Sequence, residues 1–306
     1  MDFLYFLEGL RLPWLDAVVA LLTHLGSEIV FLVAALSIFW CVDKRQGYYL
    51  LSVGFLGTLV NQFLKITCRI PRPWVRDPNF TIVESARAGA TGYSFPSGHS
   101  TSSVGTFGVI ATESRRRWMR LGAIALCVLV PLTRMYLGVH TPADVLVGSA
   151  ISLFLIVVLL PVIYKADGRH LPKLLALMLV LAAAFVIYME FFPFPADVDP
   201  DNLHHALENS YTLLGALLGM IAVWYADRKR NFPTDAVWYA QILKTVLGLA
   251  LALVVKEGLK APLDALFAGH TAARAVRYFL LVLVAGIVWP LTFPRFARLG
   301  RKDNDQ

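Results

Sequence analysis

The chain has 306 residues, 57% of them hydrophobic and only 16% charged, and its mean hydropathy is +0.62. A soluble domain of this size needs more charge to cover its surface, so an ordinary water-soluble globule is excluded. The net charge of +7 sits in short gaps between apolar runs and not along one stripe, which excludes a nucleic-acid-binding face and fits loops beside a membrane.

Taken in chain order, Met1 to Leu12 lacks the basic start of a cleavable leader and carries Asp2 and Glu8. It reads as a short amphipathic segment on the membrane surface, or more plainly as a frayed terminus. A spanning helix needs roughly 20 mostly apolar residues. Such runs fall at 20–41, 46–66, 98–113, 119–137, 142–163, 171–191, 204–226, 237–257 and 274–293. The fold expected is therefore all-α, a polytopic membrane bundle of about nine transmembrane helices. The first run carries His24, Ser27 and Glu28 in its outer part, and the third is short. Cys41, Cys68 and Cys127 are far apart, form no metal spacing and read as unbridged. The chain divides near residue 164: 1–163 holds five spans and every motif, and 164–306 adds four spans with no chemistry of their own.

Loop charge orients these spans. Basic residues fall at Lys44 and Arg45, at Arg115, Arg116, Arg117 and Arg120, and at Lys165, Arg169 and Lys173. They recur at Arg228, Lys229 and Arg230, then at Arg295, Arg298, Arg301 and Lys302. Nine spans threaded in order put all of these gaps on one side, which the positive-inside rule makes cytoplasmic. The N-terminus is then external and the C-terminus cytoplasmic. The other face receives the long 67–97 segment, the 138–141 turn and an acidic loop with Glu190, Asp197, Asp199 and Asp201.

Three polar clusters interrupt the apolar chain, all on that external side. The first is Lys65 and Arg72 in KITCRIPRP. Lysine supplies a compact charge and arginine a planar fork that grips two oxygens. Pro71 and Pro73 stiffen the backbone around Arg72. Taken alone, Lys65 fits a snorkelling helix end and Arg72 a loop cap. The second is Pro96, Ser97, Gly98 and His99. Ser97 suits an N-cap, the helix start suits an anion, and the imidazole of His99 can give a proton near neutral pH. An ordinary cap followed by a packed histidine reads the same letters. The third is Arg134, His140 and Asp144. Arginine at a span end is costly without an anion. Thr141 and Pro142 read as N-cap and first helical residue, and Asp144, about one turn past His140, can hold the Nδ1 proton so that Nε2 attacks. Asp144 also fits the acidic position of a Thr-x-x-Asp capping box, and the two roles are compatible.

The order and spacing of these clusters resemble the type 2 phosphatidic acid phosphatase superfamily, the membrane branch of a group that includes the vanadium haloperoxidases. The family pattern K-x6-RP is met by Lys65, Arg72 and Pro73, and PSGH by residues 96–99. SR-x5-H-x3-D is met by Arg134, His140 and Asp144, with Thr133 in place of serine. The resemblance covers roughly 61–150. It implies a helical bundle with the site at its outer mouth and His140 as nucleophile, forming a phosphohistidine. It implies that Asp144 orients His140 and that His99 protonates the leaving oxygen. Lys65, Arg72 and Arg134 then hold phosphate oxygens, helped by backbone N–H groups at Ser97 and Gly98. It implies no metal and no other cofactor, since fixed cations stabilise the charge.

The implied substrate is a phosphorylated lipid in the bilayer, with undecaprenyl diphosphate or a glycerolipid phosphate favoured and the bacterial plasma membrane as the setting. A sphingosine-1-phosphate-like or glucose-6-phosphatase-like activity is the nearest alternative, and a homodimer is open. Haloperoxidase chemistry belongs to soluble relatives. A non-enzymatic lipid transporter or binding protein is compatible with the span count but has no need of an oriented His–Asp pair. Elsewhere, His204 and His205 read as a wet helix start, not a metal site, since adjacent residues point apart. GALLGM at 215–220 reads as close helix packing. Trp74, Trp118, Trp224 and Trp238 read as interfacial belt residues, and Lys256, Lys260, Arg274 and Arg277 as anchors that can also reach a head group.

Overall fold

The computed structural model describes residues 1–164 and 169–299; Lys165, Arg301 and Lys302, three of the basic residues used to orient the chain, lie outside them. Every regular element among the described residues is a helix. In order these are α1 (Asp2–Glu8), α2 (Pro13–Thr23), α3 (Glu28–Cys41), α4 (Lys44–Cys68), the single turn α5 (Pro73–Arg76), α6 (Gly98–Glu113), α7 (Arg117–Tyr136), α8 (Pro142–Tyr164), α9 (Leu171–Phe191), α10 (Pro200–Arg230), α11 (Trp238–Gly258), α12 (Lys260–Leu266), α13 (Ala273–Leu283) and α14 (Phe293–Arg298). Hydrocarbon offers no partner to a backbone N–H or C=O, so an apolar run satisfies itself as a helix. Proline at the first turn starts α2, α8 and α9, where its missing N–H costs nothing.

Among the described residues, seven stretches are long and apolar enough to cross a membrane: Lys44–Arg76, Arg117–Tyr136, Pro142–Tyr164, Leu171–Phe191, Pro200–Arg230, Trp238–Leu266 and Ala273–Arg298. Large apolar side chains project outward from them, among them Val157 at 70% and Val180 at 64% exposure, which only lipid would cover without penalty. Two of the nine expected spans take another form. The 20–41 run is two helices, Pro13–Gly26 and Glu28–Cys41, bent by 46°, and counts as an eighth crossing only if the pair is taken as one. The 98–113 run is α6, whose 16 residues reach about 24 Å at 1.5 Å each, short of the ~30 Å hydrocarbon core. Its Ser100, Thr101, Ser103 and Thr106 are buried, so protein rather than lipid surrounds its polar half.

The chain forms two compact units. The first comprises 1–34, 49–161 and 193–206. In it α7 is packed by α6, α2 and α1. Leu4 of α1 is buried with Phe80, Met135 and Val145, so the N-terminal segment contributes to the core as well as carrying the exposed Phe3 and Phe6. Helix α8 meets the start of α6 at Gly148, where an added Cβ would stand 2.6 Å from the Ser97 carbonyl oxygen. The second unit comprises 35–48, 162–192 and the chain from Leu207 onward. There Pro290 has no N–H to offer the Ala285 carbonyl five residues back. The Trp289 N–H has moved to Val284 (2.8 Å), making a π turn over Val284–Val288. The orphaned Ala285 carbonyl accepts instead from the indole of the fully buried Trp40 at 2.9 Å.

Gly148→Ala should therefore push the 96–99 turn away from α8. The expected cost is about 1–3 kcal/mol, the usual penalty of overpacking, read as a lowered Tm of the detergent-solubilised protein. An unchanged Tm would show that the contact can relax.

Candidate active site

Each polar cluster is placed by its local backbone. Lys65 lies in the last turn of α4, buried, with its ammonium bonded to the Tyr93 carbonyl. Arg72 is the N-cap of α5, held extended between two prolines (φ −64°, ψ 155°). Its guanidinium is fixed by three carbonyls: Nε donates to Gly92 (3.1 Å), Nη2 to Thr91 (2.7 Å) and Nη1 to Val139 (3.0 Å). The 67–97 segment thus folds back around this side chain. Arg134, in the last turn of α7, is 1% exposed. Its Nη1 donates to Thr23 Oγ1 at 2.8 Å, and its Nε and Nη2 have no partner among the described residues.

Gly138 ends α7 at φ +79°, a conformation that glycine adopts without steric cost, and the chain reverses there. An added Cβ would also meet the Arg11 guanidinium at 2.7 Å. The reversal delivers His140, 2% exposed, to the foot of α8. There Thr141 and Asp144 form a reciprocal cap. The Thr141 N–H donates to Asp144 Oδ2 (2.7 Å), and the Asp144 N–H donates to Thr141 Oγ1 (3.3 Å). Ser94 donates its hydroxyl to the same carboxylate oxygen at 2.6 Å. His140 Nδ1 stands 3.5 Å from that oxygen, an ion-pair distance longer than a hydrogen bond. The His140 Nε2 lies 2.8 Å from Arg72 Nη1. A guanidinium can only donate, so Nε2 accepts and the ring proton belongs on Nδ1, facing Asp144.

Ser97 caps α6, its Oγ accepting from the Ser100 N–H at 3.3 Å. Its own N–H is given to the Asp144 carbonyl at 2.9 Å. That corrects the expectation that this N–H faces a phosphate: it is used to tie α6 to α8. Gly98 and His99 begin the helix, where first-turn N–H groups lack intrahelical partners. His99 is half-buried, its backbone packs against Gly26, and its imidazole shares one electrostatic neighbourhood with Arg134, Arg72, His24 and Lys65.

The structure thus brings Lys65, Arg72, Arg134, His99, His140 and Asp144 into one buried neighbourhood. Three residues the motifs do not contain complete it. Ser94 clamps Asp144, Thr23 holds Arg134, and Asn61 bonds the Pro96 carbonyl (3.3 Å) and Thr101 (3.1 Å), bracing the turn. None of the three is singled out by the sequence patterns; Thr23 adjoins His24, the first of the polar residues in the 20–41 run. Other polar residues stand elsewhere. Arg274 pairs with Glu208 at 2.6 Å and Lys256 with Glu257 at 3.5 Å. No group of three or more metal-ligating side chains occurs among the described residues, His204 and His205 included.

Lys65, Arg72 and Arg134, all buried, face a single carboxylate, Asp144. The formal excess of two positive charges equals the charge of a phosphate monoester dianion, and burying it is costly until an anion arrives. His140 responds to the same surroundings. Burial first, then Arg72, Arg134, Lys65 and His99, push its pKa well below the ordinary imidazole value of 6.5.

Comparison with known proteins gives family matches over most of the chain. The PAP2 superfamily model matches residues 46–168, and the model of its phosphatase transmembrane extension matches 211–302. Thr23 and His24 precede the first match. The chain is 31% identical over 159 residues to phosphatidylglycerophosphatase B of Bacillus subtilis, covering 48% of this chain and 74% of that protein. It is 29% identical over 140 residues to an undecaprenyl-diphosphatase of Sulfolobus acidocaldarius, covering 45% and 66%. It is 27% identical over 233 residues to a probable sphingosine-1-phosphate phosphatase of Dictyostelium discoideum, covering 71% and 55%. No solved structure matches the chain significantly.

With its pKa depressed, His140 should be neutral and carry its proton on Nδ1 at about pH 6, where an ordinary histidine is mostly charged. ¹⁵N-histidine NMR, assigned by the signal lost in His140→Ala, reads this directly. An imidazolium signal at that pH would overturn the assignment.

Proposed function

Because the chain belongs to the PAP2 superfamily, a family of phosphatases whose members act on lipids, we propose that it hydrolyses a lipid phosphate or diphosphate through a phosphohistidine on His140, with no metal ion. The observation that carries this reading is the buried surplus of two positive charges beside a histidine whose Nε2 bears a lone pair. An arriving phosphate takes the unpartnered Nε and Nη2 donors of Arg134. It also draws Arg72 Nη1 off Nε2. Nε2 then attacks phosphorus as the P–O bond to the lipid breaks, and His99 hands a proton to the departing oxygen. Asp144 stabilises the charge that forms on the His140 ring, with Ser94 and the Thr141 N–H holding the carboxylate in place. In the second half His99 takes a proton from water, the resulting hydroxide attacks phosphorus, and the P–N bond breaks to release orthophosphate and free His140. Lys65, Arg72, Arg134 and the Gly98 N–H at the start of α6 carry the charge on the transferred group.

The arrangement within the membrane follows from the same reading. Threading the seven long helices, the α2–α3 pair and α6 as crossings gives nine, with the N-terminus external and the C-terminus cytoplasmic. The site then opens on the external face of a bacterial plasma membrane, where a lipid presents its head group while its tail stays in the bilayer. Residues 1–163 act as the phosphatase core and 164–306 as an extension that shapes access. An isoprenoid diphosphate or a glycerolipid phosphate is the favoured substrate. A sphingoid phosphate is the second choice, favoured by the length of the Dictyostelium match.

Two experiments test this. Detergent-purified protein with EDTA present should release orthophosphate from one lipid class. His140→Ala should abolish the release and His99→Ala should lower it about 10²–10⁴-fold. Substantial turnover by His140→Ala would exclude it as the nucleophile. Release of phosphate only from soluble sugar phosphates would replace the lipid substrate. Separately, Thr23→Val should lower kcat/KM about tenfold, the loss of roughly 1.4 kcal/mol from a charge-assisted hydrogen bond, and Thr23→Ser should restore it. Equal losses in both variants would mean that Thr23 acts by packing alone.

A further inference from the structure

The second unit contains a pocket of about 460 Å³, the size of a small-molecule site. It lies where α4 begins and α10 ends, at the opposite end of α4 from Lys65. Its floor is an ion pair between the Lys44 ammonium and the Asp227 carboxylate, with side chains only 15% and 14% exposed. The Lys44 ammonium also lies over the rings of Phe39 (5.6 Å) and Phe232 (5.1 Å). That pair cancels its own charge and is fully committed.

What remains around the rim is not. Arg45 and Arg228 are exposed and have no acidic partner among the described residues. The Arg228 guanidinium is held over Trp224 at 5.3 Å, beside the opening. Asp43 also lines the pocket, and its carboxylate accepts from the Gln46 N–H at 2.9 Å, capping α4. Tyr48 is 4% exposed, and its hydroxyl has no hydrogen-bond partner among the described residues. Buried hydroxyls nearly always have one, so this group marks a place for a ligand atom. Two guanidinium groups against Asp43 leave one net positive charge. That matches a monoanion, not the dianion which the first site balances.

We propose that this pocket is a second ligand site that holds the phosphate of an organic phosphodiester. Arg45 and Arg228 bind its oxygens, the Tyr48 hydroxyl donates to it, and Trp224 and Phe232 cover the organic part. Guanidinium groups suit two phosphate oxygens at once, and the aromatic wall suits a glycerol backbone. A phospholipid head group and a soluble glycerophosphodiester share this chemistry.

The test is calorimetric titration of the full-length protein in detergent with dihexanoyl phosphatidylglycerol, with glycerophosphoglycerol, and with dihexanoylglycerol as the phosphate-free control. The phosphodiester lipid should bind saturably and the control should not. Arg45→Gln/Arg228→Gln should weaken binding at least tenfold. Tyr48→Phe should weaken it about threefold without lowering the ligand-free Tm, since it removes only an unpaired hydroxyl. His140→Ala should bind as the wild type does, so the outcome is independent of whether His140 is a nucleophile. Glycerophosphoglycerol binding as tightly as the lipid would support the site with a soluble ligand, and a tenfold preference for the lipid would support it with a membrane ligand. Equal binding by the wild type and the double arginine variant, loss of binding in His140→Ala, or no saturable binding of either diester would overturn the proposal.

Discussion

Asp144 is the residue on which the arrangement of the first unit turns. Its carboxylate accepts from the Ser94 hydroxyl and the Thr141 N–H, and its main-chain carbonyl accepts from the Ser97 N–H. One residue therefore joins the end of the 67–97 segment, the start of α6 and the start of α8. His140 hangs 3.5 Å from the same carboxylate oxygen, so the backbone junction and the ring orientation are set by one group. A carboxylate buried to 1% exposure would be expensive alone. Here two donors, the Ser94 hydroxyl and the Thr141 N–H, satisfy it. The bonds that cap α8 thus also fix the carboxylate oxygen that faces His140.

The cations around it are held in two different ways. Arg72 spends its donors on the carbonyls of Thr91, Gly92 and Val139, which belong to irregular backbone and need partners that no helix supplies. It is thus a structural strut that also reaches His140. Arg134 is held by one hydroxyl, from Thr23, and its Nε and Nη2 have no partner among the described residues. A buried guanidinium in that state carries a desolvation cost that an anionic partner offsets. Thr23, which holds Arg134, ends α2 just before the bend between α2 and α3, and Gly26 within that bend lies against the backbone of His99.

How far the sequence could be read follows from which forces leave a periodic or spaced trace. Lipid demands length and apolarity, so α9 and α11 fall within a residue of their expected ends. The motif residues were legible because cation, cap and histidine recur at fixed spacing around helix ends. Helix α6 falls where the 98–113 run is expected, but its polar face is covered by protein, and hydropathy does not distinguish lipid from protein as the covering. The bend within the 20–41 run has no composition of its own; only the polar letters at His24, Ser27 and Glu28 hinted at it. Ser94 and Asn61 were invisible for a simpler reason. Each acts through a single hydrogen-bonding atom on a partner distant in sequence, and no local rule points to either.

The second unit makes the same point through the backbone. Pro290 lies inside the expected 274–293 span, which hydropathy runs straight through. In the structure its missing N–H shifts Trp289 into π register, which strips Ala285 of its donor, and Trp40 supplies the replacement. Trp40 and Ala285 are separated by most of the chain, and neither residue type announces the pairing. An indole is the side chain suited to it, since it brings one N–H donor on a large apolar body that needs no second partner. Membrane interiors force this accounting to close, because an unpaired carbonyl there has no water to fall back on. A stretch with no catalytic motif can therefore be as tightly specified as the site itself, by the requirement that every backbone group find a partner.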